Sequence, residues 1–84
     1  MNKSEAYEVL INEMKSIADM SAAEIYESIG KTIENDVLSE SGILYTVDIK
    51  VTKKENNEYA INGNVHNNSS YKYQLLEEIL VIEK

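Results

Sequence analysis

Eighty-four residues make one domain with a thin core, because folding at this size removes only about 60 to 65% of the surface an unfolded chain exposes. With no cysteine and a single histidine, neither a disulfide nor a zinc cluster can staple so small a chain. The net charge of −7 repels phosphate backbones and anionic lipid headgroups, which disfavours direct contact with nucleic acid or a membrane surface and favours a basic protein partner.

Ser4 is a good N-cap for a first helix over about residues 4–20, in which Tyr7, Leu10, Ile11, Met14, Ile17 and Ala18 recur at the spacing of one buried stripe. Ser21-Ala22-Ala23-Glu24 opens a second helix with the S-x-x-E pattern, where serine and glutamate side chains each satisfy a backbone N–H. This helix is expected over about 22–38, with Ala22, Ile25, Tyr26, Ile29, Ile33 and Val37 on its apolar face, although Gly30 weakens its middle and can end it early.

After Gly42 the hydrophobic period falls from near 3.6 to 2. Ile43, Tyr45, Val47, Ile49 and Val51 alternate with Leu44, Thr46, Asp48 and Lys50, which predicts a strand over about 43–52 with one buried and one wet face. A turn at residues 53–57 leads to a strand at about 58–66 that buries Tyr59, Ile61 and Val65. A rival turn at Asn62-Gly63 would leave strands of only about three residues. Pairing Val51 with Tyr59 sets Ile49 beside Ile61, Val47 beside Gly63 and Tyr45 beside Val65. Pairing Val65 with Tyr71 brings Tyr73 over the glycine. The third strand is expected over about 71–76. Its alternation fails at Leu75-Leu76-Glu77-Glu78, so a bulge or turn is expected before a short strand at 79–83, with a helix over 73–82 as the alternative. The fold class is therefore α+β, a single domain over 1–84 in which two N-terminal helices pack on one face of a three- to four-stranded antiparallel β-meander.

The acids are unevenly placed. Residues 1–40 carry nine against three lysines, a net of −6, whereas residues 41–84 carry six against five, a net of −1. Residues 1–20 contain Glu5, Glu8, Glu13 and Asp19 where an export signal needs an uninterrupted apolar stretch, and the longest apolar run is the four residues Ile79 to Ile82, so a cytoplasmic location is expected.

Chemistry-bearing motifs are scarce, and no catalytic residue, metal ligand or cofactor is expected. There is no cysteine nucleophile, no acid beside His66 in its own strand, no phosphate-binding loop and no calcium loop. The carboxylate pairs Glu24/Glu27 and Glu77/Glu78 read as solvated charges rather than a glycosidase dyad, His66 as an exposed surface residue, and the tyrosines as core or core-edge residues. What remains is the outward sheet face, where Thr46, Asp48, Lys50, Asn62, Asn64, His66, Lys72 and Gln74 form the candidate interface, weighed against a merely solvated sheet.

Ser4-Glu5-Ala6 through Met14, Ile29-Gly30, the run Ser41-Gly42-Ile43-Leu44-Tyr45-Thr46-Val47-Asp48-Ile49-Lys50-Val51, Ile61-Asn62-Gly63-Asn64-Val65 and the closing Tyr71 to Val81 together resemble a family of small bacterial proteins with two short helices and an S-G-x-x-Y-x-V-x-I-x-V strand. The chain departs from that pattern at Asn67-Asn68, where the family has an acidic turn, and at Tyr71 or its neighbour, where it has a tryptophan. The resemblance implies the helix-then-sheet fold and keeps Gly63 inside a strand; it implies no activity and no functional residue. The expected function is that of a non-enzymatic interaction protein, such as an immunity or inhibitor protein neutralising a basic partner. The alternative is a structural or assembly subunit forming homodimers or larger oligomers through a sheet edge.

Overall fold

The computed structural model describes residues 2–67 and 75–84. Helix α1 spans Lys3–Ala18, and its N-cap is Asn2 rather than Ser4: the Asn2 side-chain oxygen accepts from the Glu5 N–H at 3.1 Å. Its buried stripe is Ala6, Leu10, Met14 and Ile17, which keeps Leu10, Met14 and Ile17 of the expected face and puts Ala6 in the place of Tyr7. Tyr7 is exposed and Ile11 and Ala18 are half-buried, because the small Ala6 is what allows the first turn to lie flat on the sheet.

The S-x-x-E pattern forms as expected, with Ser21 and Glu24 capping each other at the start of α2, Ala22–Ser28. The helix then stops ten residues short of its expected end. Ile29 turns extended and pairs in parallel with Val51, Gly30 takes φ +82°, and Thr32–Leu38 become a strand, β1. A left-handed residue is costly for anything but glycine, and the β-branched Thr32, Ile33 and Val37 favour the pleated state. Ile33 and Val37 face inward together because a separation of four suits a strand as well as it suits a helix.

Strands β2, Leu44–Lys53, and β3, Glu58–His66, lie within a residue of their expected bounds, and β4 runs unbroken over Leu75–Glu83. The sheet order is β1-β2-β3-β4 and every neighbour is antiparallel. The helices cover one face. Tyr45, Val47, Ile49 and Val51 of β2 meet Tyr59, Ile61 and Val65 of β3 beneath the α1 stripe and Ile25 of α2.

Two registers differ from expectation. Across the first hairpin Lys53 pairs with Tyr59, Val51 with Ile61, Ile49 with Gly63 and Val47 with Val65, a slip of two residues that leaves every side chain on its expected face. The three-residue loop 55–57, with Asn56 left-handed at φ 54°, sets this register. Across the second, Gly63 pairs with Glu78 instead of Tyr73. The expected strand residues Tyr71, Lys72, Tyr73 and Gln74 lie outside the described residues. No bulge and no helix interrupts 75–83: Leu76, Leu80 and Ile82 turn toward α1 with Glu78 among them, while Glu77 faces outward. Glu78 stays near solvent at the sheet edge, where its carboxylate accepts from the Tyr7 hydroxyl at 3.0 Å, so the expected cost of burying an acid does not arise. The backbone of Gly63 is covered not by an aromatic ring but by Leu10 and Met14.

The α1 N-terminus is fastened by Glu5. Its carboxylate accepts from Ser41 at 2.8 Å and from the otherwise enclosed Tyr45 hydroxyl at 3.0 Å, linking the helix to the β1–β2 turn and the core. The Ser41 bond foremost holds the Glu5 carboxyl below its ordinary value, and burial foremost raises that of the Tyr45 phenol.

Candidate functional site

Residues directly opposed in an antiparallel pair share a face, so the register determines which side chains meet on the uncovered side of the sheet. One row across the strands reads Asp36, Thr46, His66 and Leu75; the next reads Glu34, Asp48, Asn64 and Glu77; the third reads Thr32, Lys50, Asn62 and Ile79. Of the candidate interface, Thr46, Asp48, Lys50, Asn62, Asn64 and His66 are thus together on one surface, whereas Lys72 and Gln74 lie outside the described residues. Their neighbours differ with the register: Asp48 sits opposite Asn64 rather than Asn62.

Sequence reasoning misses three acids of this face. It places Glu34 and Asp36 in a helix, and Glu77 at a bend. Gly30 followed by β-branched Thr32 and Ile33 is the available signal for the first two. For Glu77 there is none, because Leu75, Ile79 and Val81 on one side of β4 look the same as Leu76, Leu80 and Ile82 on the other.

These acids change the character of the face. Glu34 and Asp48 stand directly across from each other with their carboxyl groups in hydrogen-bonding reach. That bond, followed by the negative charge of Asp48, raises the Glu34 carboxyl above its ordinary 4.5; burial and Asp36 push the same way and His66 opposes them. Where Glu34 is protonated, its carboxyl donates to Asp48 and the repulsion between the two groups is relieved. The Thr46 hydroxyl donates to Asp36 at 2.9 Å. His66 is not the exposed residue expected: its side chain is 12% exposed, and its Nε2 lies 3.5 Å from Asp48 Oδ2, an ion pair when the ring is protonated. Asp48 is thereby a hub between Glu34 and His66. A shallow trough of about 320 Å³ beside it is bounded by Asp48, Lys50, Asn62, Asn64, Glu77 and Ile79. The Asn62 amide donates toward the Lys50 carbonyl at 3.4 Å, turning its polar end along the sheet.

The carboxyl pair gives a direct test. In a side-chain carboxyl NMR titration Glu34 is expected to lose its proton above pH 4.5, and Asp48→Asn should bring its midpoint down. A folded value above the unfolded one means that the native state binds more protons, so this group's contribution to stability declines as pH rises from 4.5 through the raised value. A Glu34 midpoint unmoved by Asp48→Asn would show that Asp48 does not raise it.

A His–Asp pair orients the base in a nucleophile–histidine–aspartate triad, but here the adjacent Thr46 hydroxyl is directed to Asp36 and not to the imidazole. Among the described residues no group of three His, Cys, Asp or Glu side chains is placed to hold a metal ion, and no helix is long and apolar enough to cross a membrane. No family model, no curated protein and no solved structure matches the chain, so its likeness to the small bacterial family rests on the quoted residues alone.

Proposed function

We propose that this chain is a cytoplasmic protein-binding module that receives a basic protein on the outer face of its sheet, in the manner of an immunity or inhibitor protein that neutralises its target. The observation that carries this reading is the band Asp36, Glu34, Asp48 and Glu77, which runs across the sheet from β1 to β4 with Lys50 and His66 beside it. Two carboxyl groups that repel each other across adjacent strands are relieved by an external cation. An arginine or lysine inserted between Asp48 and Glu77, over Asn64, would gain charge-assisted hydrogen bonds on a platform stiffened by strand pairing. The trough at that place gives the side chain room.

Such recognition is electrostatic and therefore salt-sensitive. Affinity capture from the source cells at low salt is expected to retain one protein with a strongly basic surface, and most of it should elute near about 0.5 M salt, where the Debye length has shrunk to roughly 4 Å. A partner held equally well at both salts would overturn the assignment.

A further inference from the structure

Among the described residues the sheet has two open edges, and they differ. The edge strand β1 has seven residues and carries Glu34, Asn35 and Asp36 at its middle. Pairing two copies of β1 about residue 34, 35 or 36 sets acid opposite acid in each case, a common way of keeping an edge single. Edge strand β4 has nine residues, no proline and no bulge, and exposes Leu75, Ile79 and Val81 on its outer side. Its acids, Glu77, Glu78 and Glu83, bar some registers but not all.

The direction of its free backbone groups can be read from one bond. The Lys84 N–H donates to the Asn57 carbonyl at 2.9 Å, so even-numbered β4 residues sit in hydrogen-bonded pairs with β3. The odd-numbered Leu75, Glu77, Ile79, Val81 and Glu83 then direct N–H and C=O away from β3, to an edge that no described strand occupies. On the inner side Leu76, Leu80 and Ile82 are only half-buried, because α1 stops short of the edge, and Tyr7 beside them is 45% exposed.

We infer that β4 pairs antiparallel with β4 of a second copy, about a two-fold axis through Ile79, to form a continuous eight-stranded sheet. Charge selects both the occupant and the register. An axis at residue 77 or 78 puts a glutamate opposite itself, and an axis at residue 80 puts Glu77 opposite Glu83 twice. An axis at Ile79 pairs all nine residues and opposes no like charges: Ile79 meets Ile79, Glu77 meets Val81, Leu75 meets Glu83, Glu78 meets Leu80 and Leu76 meets Ile82. An axis at 81 also avoids like pairs but engages only residues 78–84. The two helical layers fall on the same side, so Tyr7 of each copy approaches the axis and the half-buried β4 side chains are closed over. The dimer does not depend on the outer-face reading, although it would set two acidic bands on one platform for a bivalent partner.

Sedimentation over roughly a hundredfold range of concentration is expected to show a monomer–dimer equilibrium. Ile79→Pro removes an outward N–H without touching the β3 ladder, and Ile79→Lys places two ammonium groups face to face; both should be monomeric with an unchanged circular dichroism spectrum. Because the chain has no native cysteine, Ile79→Cys reports the register directly: opposed hydrogen-bonded residues lie about 5.5 Å apart between Cα atoms, within disulfide reach, so it should form a covalent dimer on mild oxidation while the similarly exposed Leu44→Cys does not. A wild-type monomer at every concentration, or a dimer that survives Ile79→Pro and cross-links no faster through residue 79 than through residue 44, would overturn the inference.

Discussion

Gly63→Val is expected to destabilise the fold by about 3 kcal/mol, whereas Gly63→Ala should cost about 1 kcal/mol or less. Gly63 is in mid-strand, where valine would ordinarily be favoured over glycine. The reason for the reversal is α1. A Cβ built on Gly63 would stand 2.9 Å from Leu10 Cδ1 and 2.9 Å from Met14 Sδ, so the helix rests against bare backbone at that point. One methyl meets the ends of flexible side chains, which can yield; two further methyls would have to lift the helix from β3. For a chain of this size total stability is roughly 4 to 12 kcal/mol, so at the lower end of that range the larger loss would leave an appreciable fraction unfolded at 37 °C. Urea melts of the two variants provide the measurement. The compensating change Met14→Ala should recover part of the loss in the valine background while being harmful alone, a non-additivity that separates crowding from a change in strand propensity. Equal costs for alanine and valine would show that α1 does not lie against the glycine.

Glu34→Gln, Asp36→Asn and Asp48→Asn combined should have the second large effect, and it should run in opposite directions for binding and for folding. Association with a basic partner at low salt is expected to slow about tenfold or more, because the outer-face band supplies the steering field. Thermal stability should stay level or rise, since the substitutions remove repulsion between acids on adjacent strands and leave the Thr46 hydroxyl an amide oxygen at position 36 to donate to. Stopped-flow association rates beside melting temperatures distinguish this from general damage. Were the triple variant to bind unchanged, the acidic helix surface or the sheet edges would carry recognition, and the outer face would be a solvated sheet.

The same residues explain why the candidate face was legible in outline but not in detail. Thr46, Asp48, Lys50, Asn62, Asn64 and His66 fall on one side whichever even register the β2–β3 hairpin adopts, since a slip of two restores every side chain to its face. Their partners do not survive such a slip. Asp48 stands opposite Asn64 instead of Asn62, and its closeness to His66 is invisible in the sequence because the two residues are eighteen positions apart. Glu34 and Asp36 are hidden by a coincidence of spacing: Ile33 and Val37, four apart, line one face of a helix or of a strand equally well.

Local physics is sufficient for the reciprocal Ser21–Glu24 cap, for the change of period at Gly42 and for the buried side of β2 and β3, because each depends on residues within a few positions of one another. The α+β class follows from them. Only the assembled molecule decides that α2 ends at Ser28, that 32–38 becomes an edge strand, and that Leu76, Leu80 and Ile82 rather than Leu75, Ile79 and Val81 face the helix. Those choices are between alternatives that are nearly equal locally. They are resolved by where α1 lies on the sheet, and that position depends on Gly63 meeting Leu10 and Met14 across about fifty residues of chain.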